Sequence, residues 1–199
     1  MRVLVVEDDP IIALGLARRL GGLGHEVVGP AGSVAAALDL ARGDQDCDLY
    51  LFDVSLPDGD GIELARELSE HGPRRPVVIL TGLDAPDVLD RSIEAGVLAH
   101  LTKPVDDRQL EAALRLAAAR SAELEALRAE VDSTRQALAD RKLIEQAKGI
   151  LISGLGLTEP EAFKRIQATA RQRNARLVDV ARVIVEQRAL YEGSGPARG

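Results

Sequence analysis

The stretch FDVSLPDGDG, residues 52–61, decides the fold of this 199-residue chain. It joins an apolar run, residues 48–52, to a turn rich in glycine and proline, and Asp53 stands at the junction. Apolar runs that alternate with helical stretches are typical of a parallel sheet covered by helices on both faces. Because such sheets hold their ligand sites at the carboxyl ends of the strands, Asp53 is a candidate site residue.

Three further apolar runs are followed by polar groups, which predicts that these groups gather at one edge of the sheet. They are residues 3–6 before Glu7, Asp8 and Asp9, residues 76–80 before Thr81, and residues 98–101 before Lys103 and Pro104. Mg²⁺ prefers oxygen ligands, which Glu7, Asp8 and Asp53 can supply. A phosphoryl group on Asp53 would need a cation and a hydroxyl donor nearby, and Lys103 and Thr81 suit those roles.

Acidic residues after strands can instead serve as helix N-caps. We favour that interpretation for Asp9, because Pro10 follows it and proline is common at the first helical position. For Asp53 we favour the site, because the glycine- and proline-rich turn at residues 57–61 lies directly behind it.

Residues 1–120 resemble a response-regulator receiver domain. The motifs that carry the resemblance are VVEDDP at residues 5–10, FDVSLPDGDG at 52–61, VILTG at 78–82 and LTKP at 101–104. The resemblance implies a five-stranded, doubly wound parallel sheet of the flavodoxin-like type, built from five βα units. It also implies a sensor histidine kinase as the partner.

The resemblance assigns the acidic residues to a phosphorylation site that depends on Mg²⁺. Asp53 is implied to be the phospho-acceptor. Asp8, Asp53 and the backbone carbonyl of Ser55 are implied to hold the metal, and Glu7 is implied to help through a water molecule.

The resemblance also implies a switch that responds to the phosphate. Lys103 would pair with the phosphoryl group, Thr81 would be the switch hydroxyl, and a cis peptide bond is expected before Pro104. His100 departs from the pattern, because such domains usually carry Tyr or Phe at its position. An imidazole would therefore have to take the place of the aromatic side chain that moves with Thr81.

Length and charge indicate two unequal parts. The chain can hold one domain of typical size and a smaller module. Residues 1–120 contain 12 Lys and Arg against 21 Asp and Glu, for a net charge of −9, whereas residues 121–199 contain 13 against 11, for a net charge of +2. No apolar run approaches the roughly 18 residues needed to span a bilayer, so we expect a cytoplasmic protein without a membrane partner. Cys47 is the only cysteine, which excludes a disulfide framework within the chain.

A helical connector is predicted over residues 105–140, continuing the last receiver helix. Apolar positions recur there at alternating spacings of three and four, which is a heptad pattern. These seam positions are Leu110, Ala113, Ala117, Arg120, Leu124, Leu127, Val131, Thr134 and Leu138, and Arg120 and Thr134 interrupt the apolar pattern. The seam favours a short coiled coil and hence a homodimer. The alternative is a monomeric helix that packs this stripe against its own chain.

Beyond Asp140 the pattern predicts three short helices, which form a small all-α output domain over residues 138–190. Thr158 and Glu161 predict a capping box at the beginning of the second helix. The positions expected to be buried in the second and third helices are Ala162, Phe163, Ile166, Ala170, Leu177, Val178, Ala181, Ile184 and Val185. Residues 193–199, with their Gly and Pro, are expected to be a disordered tail.

This part of the chain resembles the ANTAR family, the RNA-binding output domain of transcription antitermination regulators. The resemblance rests on RKLIEQAKGIL at residues 141–151, EAF at 161–163 and DVA at 179–181. Ile152 replaces the methionine common in that family, which conserves volume. The resemblance implies binding to a pair of short RNA stem-loops in a nascent transcript.

Basic residues would have to dominate RNA recognition, because aromatic residues are scarce and Phe163 is expected in the core. The candidate contacts are Lys148, Lys164, Arg165, Arg171, Arg173 and Arg176. Gln172 and Asn174 are candidate base readers.

The whole pattern favours a response regulator that is phosphorylated on Asp53 and controls gene expression through RNA binding. The expected catalysis is at most slow self-dephosphorylation. One alternative is a DNA-binding helix-turn-helix output, which the apolar last helix argues against. The other is an Mg²⁺-dependent phosphatase with an aspartyl intermediate, which would need a substrate-enclosing cap and a second acid or base.

Overall fold

The structure is a computed structural model that describes residues 1–43, 46–72, 74–82 and 87–192, with side chains described as far as Arg188. Within these residues there are seven strands and seven helices. The strands are β1 (Arg2–Val6), β2 (Glu26–Ala31), β3 (Leu49–Asp53), β4 (Ser55–Leu56), β5 (Gly59–Asp60), β6 (Val77–Thr81) and β7 (Ala99–Thr102). The helices are α1 (Pro10–Gly22), α2 (Val34–Arg42), α3 (Gly61–His71), α4 (Val88–Glu94), α5 (Asp107–Leu155), α6 (Glu159–Gln172) and α7 (Leu177–Glu192).

Five strands form a parallel sheet in the order β2-β1-β3-β6-β7. This confirms the predicted fold class. The strand order reverses between β1 and β3, and in open α/β sheets the crevice for a ligand lies outside the carboxyl ends of the strands at this point. The short strands β4 and β5 form a separate antiparallel pair directly after β3.

Side chains alternate between the two faces of the sheet, because successive residues of a strand point in opposite directions. In β3, Leu49 and Leu51 pack with α1 and the beginning of α5, whereas Tyr50 and Phe52 pack on the face covered by α2, α3 and α4. The rings of Tyr50 and Phe52 are stacked, with 5.4 Å between centroids. The two buried faces explain why the strands read as continuous apolar runs.

The predicted connector is a helix, and it extends farther than the connector prediction. Helix α5 runs for 49 residues without interruption, so the first helix of the predicted output trio is its last part. Leu110, Ala113 and Ala117 are buried against the sheet, whereas the seam positions from Leu124 to Leu138 are exposed. The first part of the seam therefore packs against the sheet, and the second part is exposed.

The chain separates into two compact units, residues 1–126 and residues 127–199. In the second unit, the end of α5 packs with α6 and α7 around Ala147, Ile166 and Ala181. Glu161 accepts hydrogen bonds from the backbone N–H and the hydroxyl of Thr158, at 2.8 and 2.6 Å, which confirms the predicted capping box. The predicted tail, residues 193–199, lies outside the described residues.

One core prediction is wrong. Phe163 was expected in the buried stripe of α6, but its side chain is 38% exposed. The stripe consists of Ala162, Ile166 and Ala170, and Phe163 stands at its edge. Phe163 lies about 60° around the helix from Ile166, which is at the centre of this stripe, whereas Ala162 and Ala170 lie only about 40° from it. Among the helices that the structure describes, none combines the length and the apolar character that a membrane span needs.

Candidate functional site

Three carboxylates meet at the carboxyl edge of the sheet. Glu7 and Asp8 follow β1, and Asp53 ends the neighbouring strand β3, where Val6 lies beside Phe52. One oxygen from each carboxylate lies within 4.8 Å of the others. Glu7 and Asp53 are buried and Asp8 is exposed, so the cluster opens to solvent on one side. An oxygen-rich group of this kind fits Mg²⁺, which binds through one or two carboxylates and keeps several waters.

Lys103 connects two of these carboxylates. Its Nζ donates to Oε2 of Glu7 at 2.7 Å and to Oδ2 of Asp53 at 2.8 Å. The lysine follows β7, and its backbone N–H donates to the carbonyl of Thr81 at 2.8 Å, which holds it beside the end of β6. The bond before Pro104 is cis, as expected.

Burial and charge act against each other in this pocket. Burial raises the pKa of Glu7, and the nearby Asp53 charge adds to that effect, while Lys103 opposes it. Burial lowers the pKa of Lys103, but its bonds to Asp53 and Glu7 outweigh that effect and the net pKa is raised. Lys103 is therefore a firmly protonated cation next to the candidate phospho-acceptor.

Close packing behind Asp53 depends on Gly61. A Cβ at this position would overlap the carbonyl oxygen of Asp53. The Gly61 N–H donates to the carbonyl of Val54 at 2.9 Å. Glycine therefore lets α3 begin directly against the end of β3, which holds the Asp53 backbone in place.

Two further acidic residues of this loop have structural roles that sequence reasoning did not assign. Asp58 accepts hydrogen bonds from the N–H groups of Val34 and Ala35 at the beginning of α2, and these bonds lower its pKa. Asp60 caps α3 and also pairs with Arg91 of α4, with 2.6 Å between Nη2 and Oδ2. The signal for Asp60 was its place just before a helix, whereas the partners of Asp58 are more than twenty residues away.

Ser55 lies two residues beyond the carboxyl end of β3, and Thr81 ends the neighbouring strand β6. Ser55 is exposed and is the first residue of β4. Thr81 ends β6, and its hydroxyl donates to the carbonyl of Gly82 at 3.1 Å. The hydroxyl is thus committed to its own loop rather than to the Asp53 carboxylate.

His100 lies in β7 beside Ile79 of β6, two residues before the Thr102 that pairs with Thr81. Residues two apart share one face of a strand, so His100 and Thr81 stand on the same side of the sheet. Burial lowers the pKa of His100, and its Nε2 is buried without a hydrogen-bond partner among the described residues.

The candidate RNA contacts in the second unit fall into two groups. Lys164, Arg165, Arg171 and Arg173 are exposed on α6 and at its end, and none of them forms an ion pair within the described part of the chain. Arg176 is exposed but pairs with Asp179 at 3.0 Å. Gln172 and Asn174 are also exposed, and Asn174 adopts a left-handed φ of 49° in the turn after α6.

Lys148 is placed differently from an RNA contact. Its side chain is buried, and its Nζ donates to Glu145 at 2.9 Å and to Glu159 at 2.6 Å. These bonds raise its pKa. Lys148 therefore ties α5 to the beginning of α6 instead of facing solvent.

A parallel sheet with three carboxylates and a lysine at the carboxyl edge of β1, β3 and β7 is the arrangement expected of a receiver domain. Comparison with known families matches residues 3–115 to the response regulator receiver domain and residues 132–185 to the ANTAR domain. The chain therefore belongs to the response regulators that carry a receiver domain followed by an ANTAR domain.

Similar proteins agree with this assignment. Transcriptional regulatory protein PdtaR of Mycobacterium tuberculosis H37Rv is 40% identical over 185 residues, which cover 93% of this chain and 89% of that protein. The DNA-binding transcriptional activator DevR/DosR of the same organism is 34% identical over 116 residues, which cover 58% of this chain and 53% of that protein. A receiver domain structure from Clostridium thermocellum matches with a TM-score of 0.57 and 27% identity, over 62% of this chain and 98% of that one.

Proposed function

We propose that this two-component response regulator receives a phosphoryl group on Asp53 from a sensor histidine kinase and then binds structured RNA to control transcription antitermination. The contact of Lys103 with both Asp53 and Glu7 is the observation that supports the receiver half of the proposal most directly. It places a protonated amine beside the oxygen that would carry the phosphoryl group.

In the proposed transfer, a carboxylate oxygen of Asp53 attacks the phosphorus, and the bond from phosphorus to the kinase imidazole nitrogen breaks. Asp8, Asp53 and the Ser55 carbonyl would hold Mg²⁺, with Glu7 helping through a water molecule, and the metal would supply positive charge to neutralise the transferred oxygens. Lys103 already lies 2.8 Å from Asp53 and pairs with the product. The receiver acts as a phospho-acceptor, and we expect at most slow self-dephosphorylation as catalysis.

The switch in this proposal is the hydroxyl of Thr81. It leaves the carbonyl of Gly82, its present partner at 3.1 Å, and donates to the phosphoryl group. His100, on the same side of the sheet, fills the space that this movement opens. A neutral imidazole is suited to a buried position, and burial keeps the pKa of His100 low.

The RNA half rests on the match to the ANTAR family and on the basic residues on and after α6 that form no ion pair with any described residue. Lys164, Arg165, Arg171 and Arg173 are available to neutralise backbone phosphates of paired stem-loops, and Arg176 joins them if it leaves Asp179. An arginine that faces solvent can also stack on a base through its guanidinium plane.

Dimerisation is the proposed link between the two halves. Leu124, Leu127, Val131 and Leu138 are each at least 41% exposed along α5. The Thr134 hydroxyl, which interrupts this stripe, donates to the carbonyl of Glu130 at 2.9 Å and so needs no partner from another chain. A dimer would present two ANTAR domains to two stem-loops and gain affinity through effective concentration.

The test compares variants of the full chain in two assays. In the first, a small-molecule phosphoryl donor is added with Mg²⁺ or with a chelator, and the acid-labile phosphoprotein is measured. We expect Asp53→Asn and the chelator to abolish phosphorylation and Asp8→Ala to impair it. Asp58→Asn is the matched control. Asp58 lies on the loop that follows Asp53, but its carboxylate accepts from the N–H groups at the beginning of α2. Label on an acid-stable group of Asp53→Asn would contradict the assignment.

In the second assay, RNA hairpin pairs with randomised loops are selected on the protein loaded with beryllium fluoride as a phosphate mimic. We expect an enriched RNA that binds more tightly with the mimic than without it, and no such gain in Asp53→Asn. Tighter binding to a double-stranded DNA operator than to any hairpin pair would overturn the RNA proposal.

A further inference from the structure

Phe163 is exposed on α6, in a chain that contains only two Phe, two Tyr and no Trp. Tyr50 and Phe52 are buried in the receiver core, and Phe163 is the one aromatic side chain within the described part that reaches the surface. A single exposed apolar residue is not evidence of a binding site. The residues beside Phe163 on α6 determine which ligands its ring could bind.

Three polar residues follow Phe163 on the side of α6 that faces away from its buried stripe. With about 100° of turn per residue, Gln167 is displaced by about 40° from Phe163, Arg171 by about 80° and Lys164 by about 100°. Gln167 stands one turn beyond Phe163, and Arg171 stands about one turn beyond Gln167. The buried stripe of α6 is on the other side of Phe163, so these four residues form one continuous face.

None of the three polar neighbours has a side-chain partner among the residues that the structure describes. Lys164 and Arg171 are exposed, and Gln167 is half-buried. The acidic residues of this helix, Glu159 and Glu161, are engaged at its beginning by Lys148 and Thr158. The face therefore combines a flat ring, a free amide and two unneutralised cations.

We propose that this face is a base-reading platform, on which an unpaired base of an RNA loop stacks on Phe163 and presents its edge to Gln167. Lys164 and Arg171 hold the adjoining phosphates. The inference rests on the RNA-binding function proposed above and identifies where that function reads the loop.

Unpaired RNA is the occupant that this chemistry fits. Recognition of looped bases combines stacking on an aromatic ring with hydrogen bonds to base edges, and it needs positive charge for the backbone. The bases of a DNA duplex are stacked on each other and offer no free face to the ring. An amide can donate and accept at once, so Gln167 can distinguish between base edges.

The test uses the full chain with the phosphate mimic and the RNA hairpin pair enriched by selection, in which single loop nucleotides are replaced by 2-aminopurine. Phe163→Leu keeps an apolar side chain of similar size but removes the flat ring. We expect about a tenfold loss of affinity in this variant. We also expect wild-type protein to quench one loop position, Phe163→Leu to lose that quenching, and Phe163→Trp to restore both.

Salt dependence separates stacking from charge. Phe163→Leu should leave the slope of log affinity against log salt unchanged, whereas Lys164→Gln and Arg171→Gln should each reduce it by roughly 0.7 to 0.9. Val183→Ala is the matched control, because Val183 is a partly exposed apolar residue on α7. It should bind as wild type does.

The outcomes distinguish this inference from the proposed function. If wild-type protein enriches no hairpin pair, the RNA function itself fails. If wild type binds RNA and Phe163→Leu binds equally well with unchanged quenching, the platform is wrong and the RNA function stands. A loss of affinity that Phe163→Trp does not restore, together with a lowered Tm, would make Phe163 a structural residue and also overturn the platform.

Discussion

The ammonium of Lys103 lies 2.8 Å from Oδ2 of Asp53, so the candidate phospho-acceptor is paired with a cation before any phosphate arrives. The same ammonium pairs with Glu7 at 2.7 Å. Two of the three carboxylates that could hold a metal are thus already neutralised in part. A divalent cation held by the same carboxylates would lie close to Lys103, and the two positive charges would repel each other.

We expect Lys103→Met to bind Mg²⁺ more tightly and to accept phosphate more slowly. Removal of the cation should raise Mg²⁺ affinity by roughly tenfold, equivalent to about 1.4 kcal/mol. The slower phosphorylation follows because the ammonium no longer pairs with the transferred oxygens. Titration calorimetry measures the first effect, and phosphoprotein formation measures the second.

Arg18→Met is the control for this experiment. Arg18 is exposed on α1, and its replacement removes one positive charge from the same domain. Equal Mg²⁺ affinity in Lys103→Met and Arg18→Met would show that the lysine does not compete with the metal.

Lys148 offers a test of structural against RNA-binding lysines. Its ion pairs with Glu145 and Glu159 lie within the second unit, whereas Lys164 is exposed on α6 and unpaired among the described residues. We expect Lys148→Gln to lower the Tm of the ANTAR domain and to leave the salt slope of RNA binding unchanged. Lys164→Gln should do the reverse. Thermal unfolding measures the Tm, and RNA titrations at several salt concentrations measure the slope. A lowered salt slope in Lys148→Gln would show that Lys148 contacts RNA.

The exposed part of the seam provides the third expectation. Leu127 and Leu138 are 53% and 56% exposed, so replacing both with lysine should leave the monomer fold intact. In a dimer the same change would bring like charges into the seam and should prevent association. We expect the phosphate mimic to raise both the dimer fraction and the RNA affinity of wild type, and to raise neither in the double variant.

Light scattering and RNA binding on the same samples measure these two quantities. Replacement of Arg128 by lysine, on the same part of α5, conserves the charge and serves as a control that should dimerise normally. A double variant that stays monomeric and still gains RNA affinity with the mimic would rule out dimerisation as the link.

His100 should make stability depend on pH. Burial lowers its pKa below the ordinary value of 6.5, so the unfolded chain binds the proton more readily than the folded protein does. Its contribution is fully present above about pH 6.5 and is lost as the pH falls from there towards the lowered pKa. His100→Phe should therefore weaken the acid dependence of the free energy of unfolding and be neutral or stabilising at pH 7, because it also removes an unpartnered buried nitrogen.

Urea unfolding of both proteins between pH 5 and 8 tests this expectation. His25 and His71 are present in both proteins, so the difference between the two curves isolates His100. Parallel curves would contradict a lowered pKa at this position.

The local sequence pattern was enough to predict the sheet, the acidic pocket and two helix caps of this protein. The apolar runs predicted the parallel sheet, because strands buried on both faces have no polar side. The residues after those runs predicted the pocket of Glu7, Asp8, Asp53 and Lys103, because the carboxyl ends of parallel strands share one edge. Asp9, which accepts hydrogen bonds from the N–H groups of Ile11 and Ile12, and Thr158 are predicted as helix caps from sequence, because a cap and its helix are neighbours in the chain.

What the sequence could not decide depends on partners that are distant along the chain or on space around a side chain. Asp58 bonds to α2 and Asp60 to Arg91 only because the sheet brings those segments together. Phe163 is apolar and adjoins the buried stripe in the helical pattern, yet it stands at the edge of that stripe and is 38% exposed. Periodicity determined which positions of this protein share a helix face, and only the tertiary structure decided which of those faces another element covers, because burial depends on what packs there.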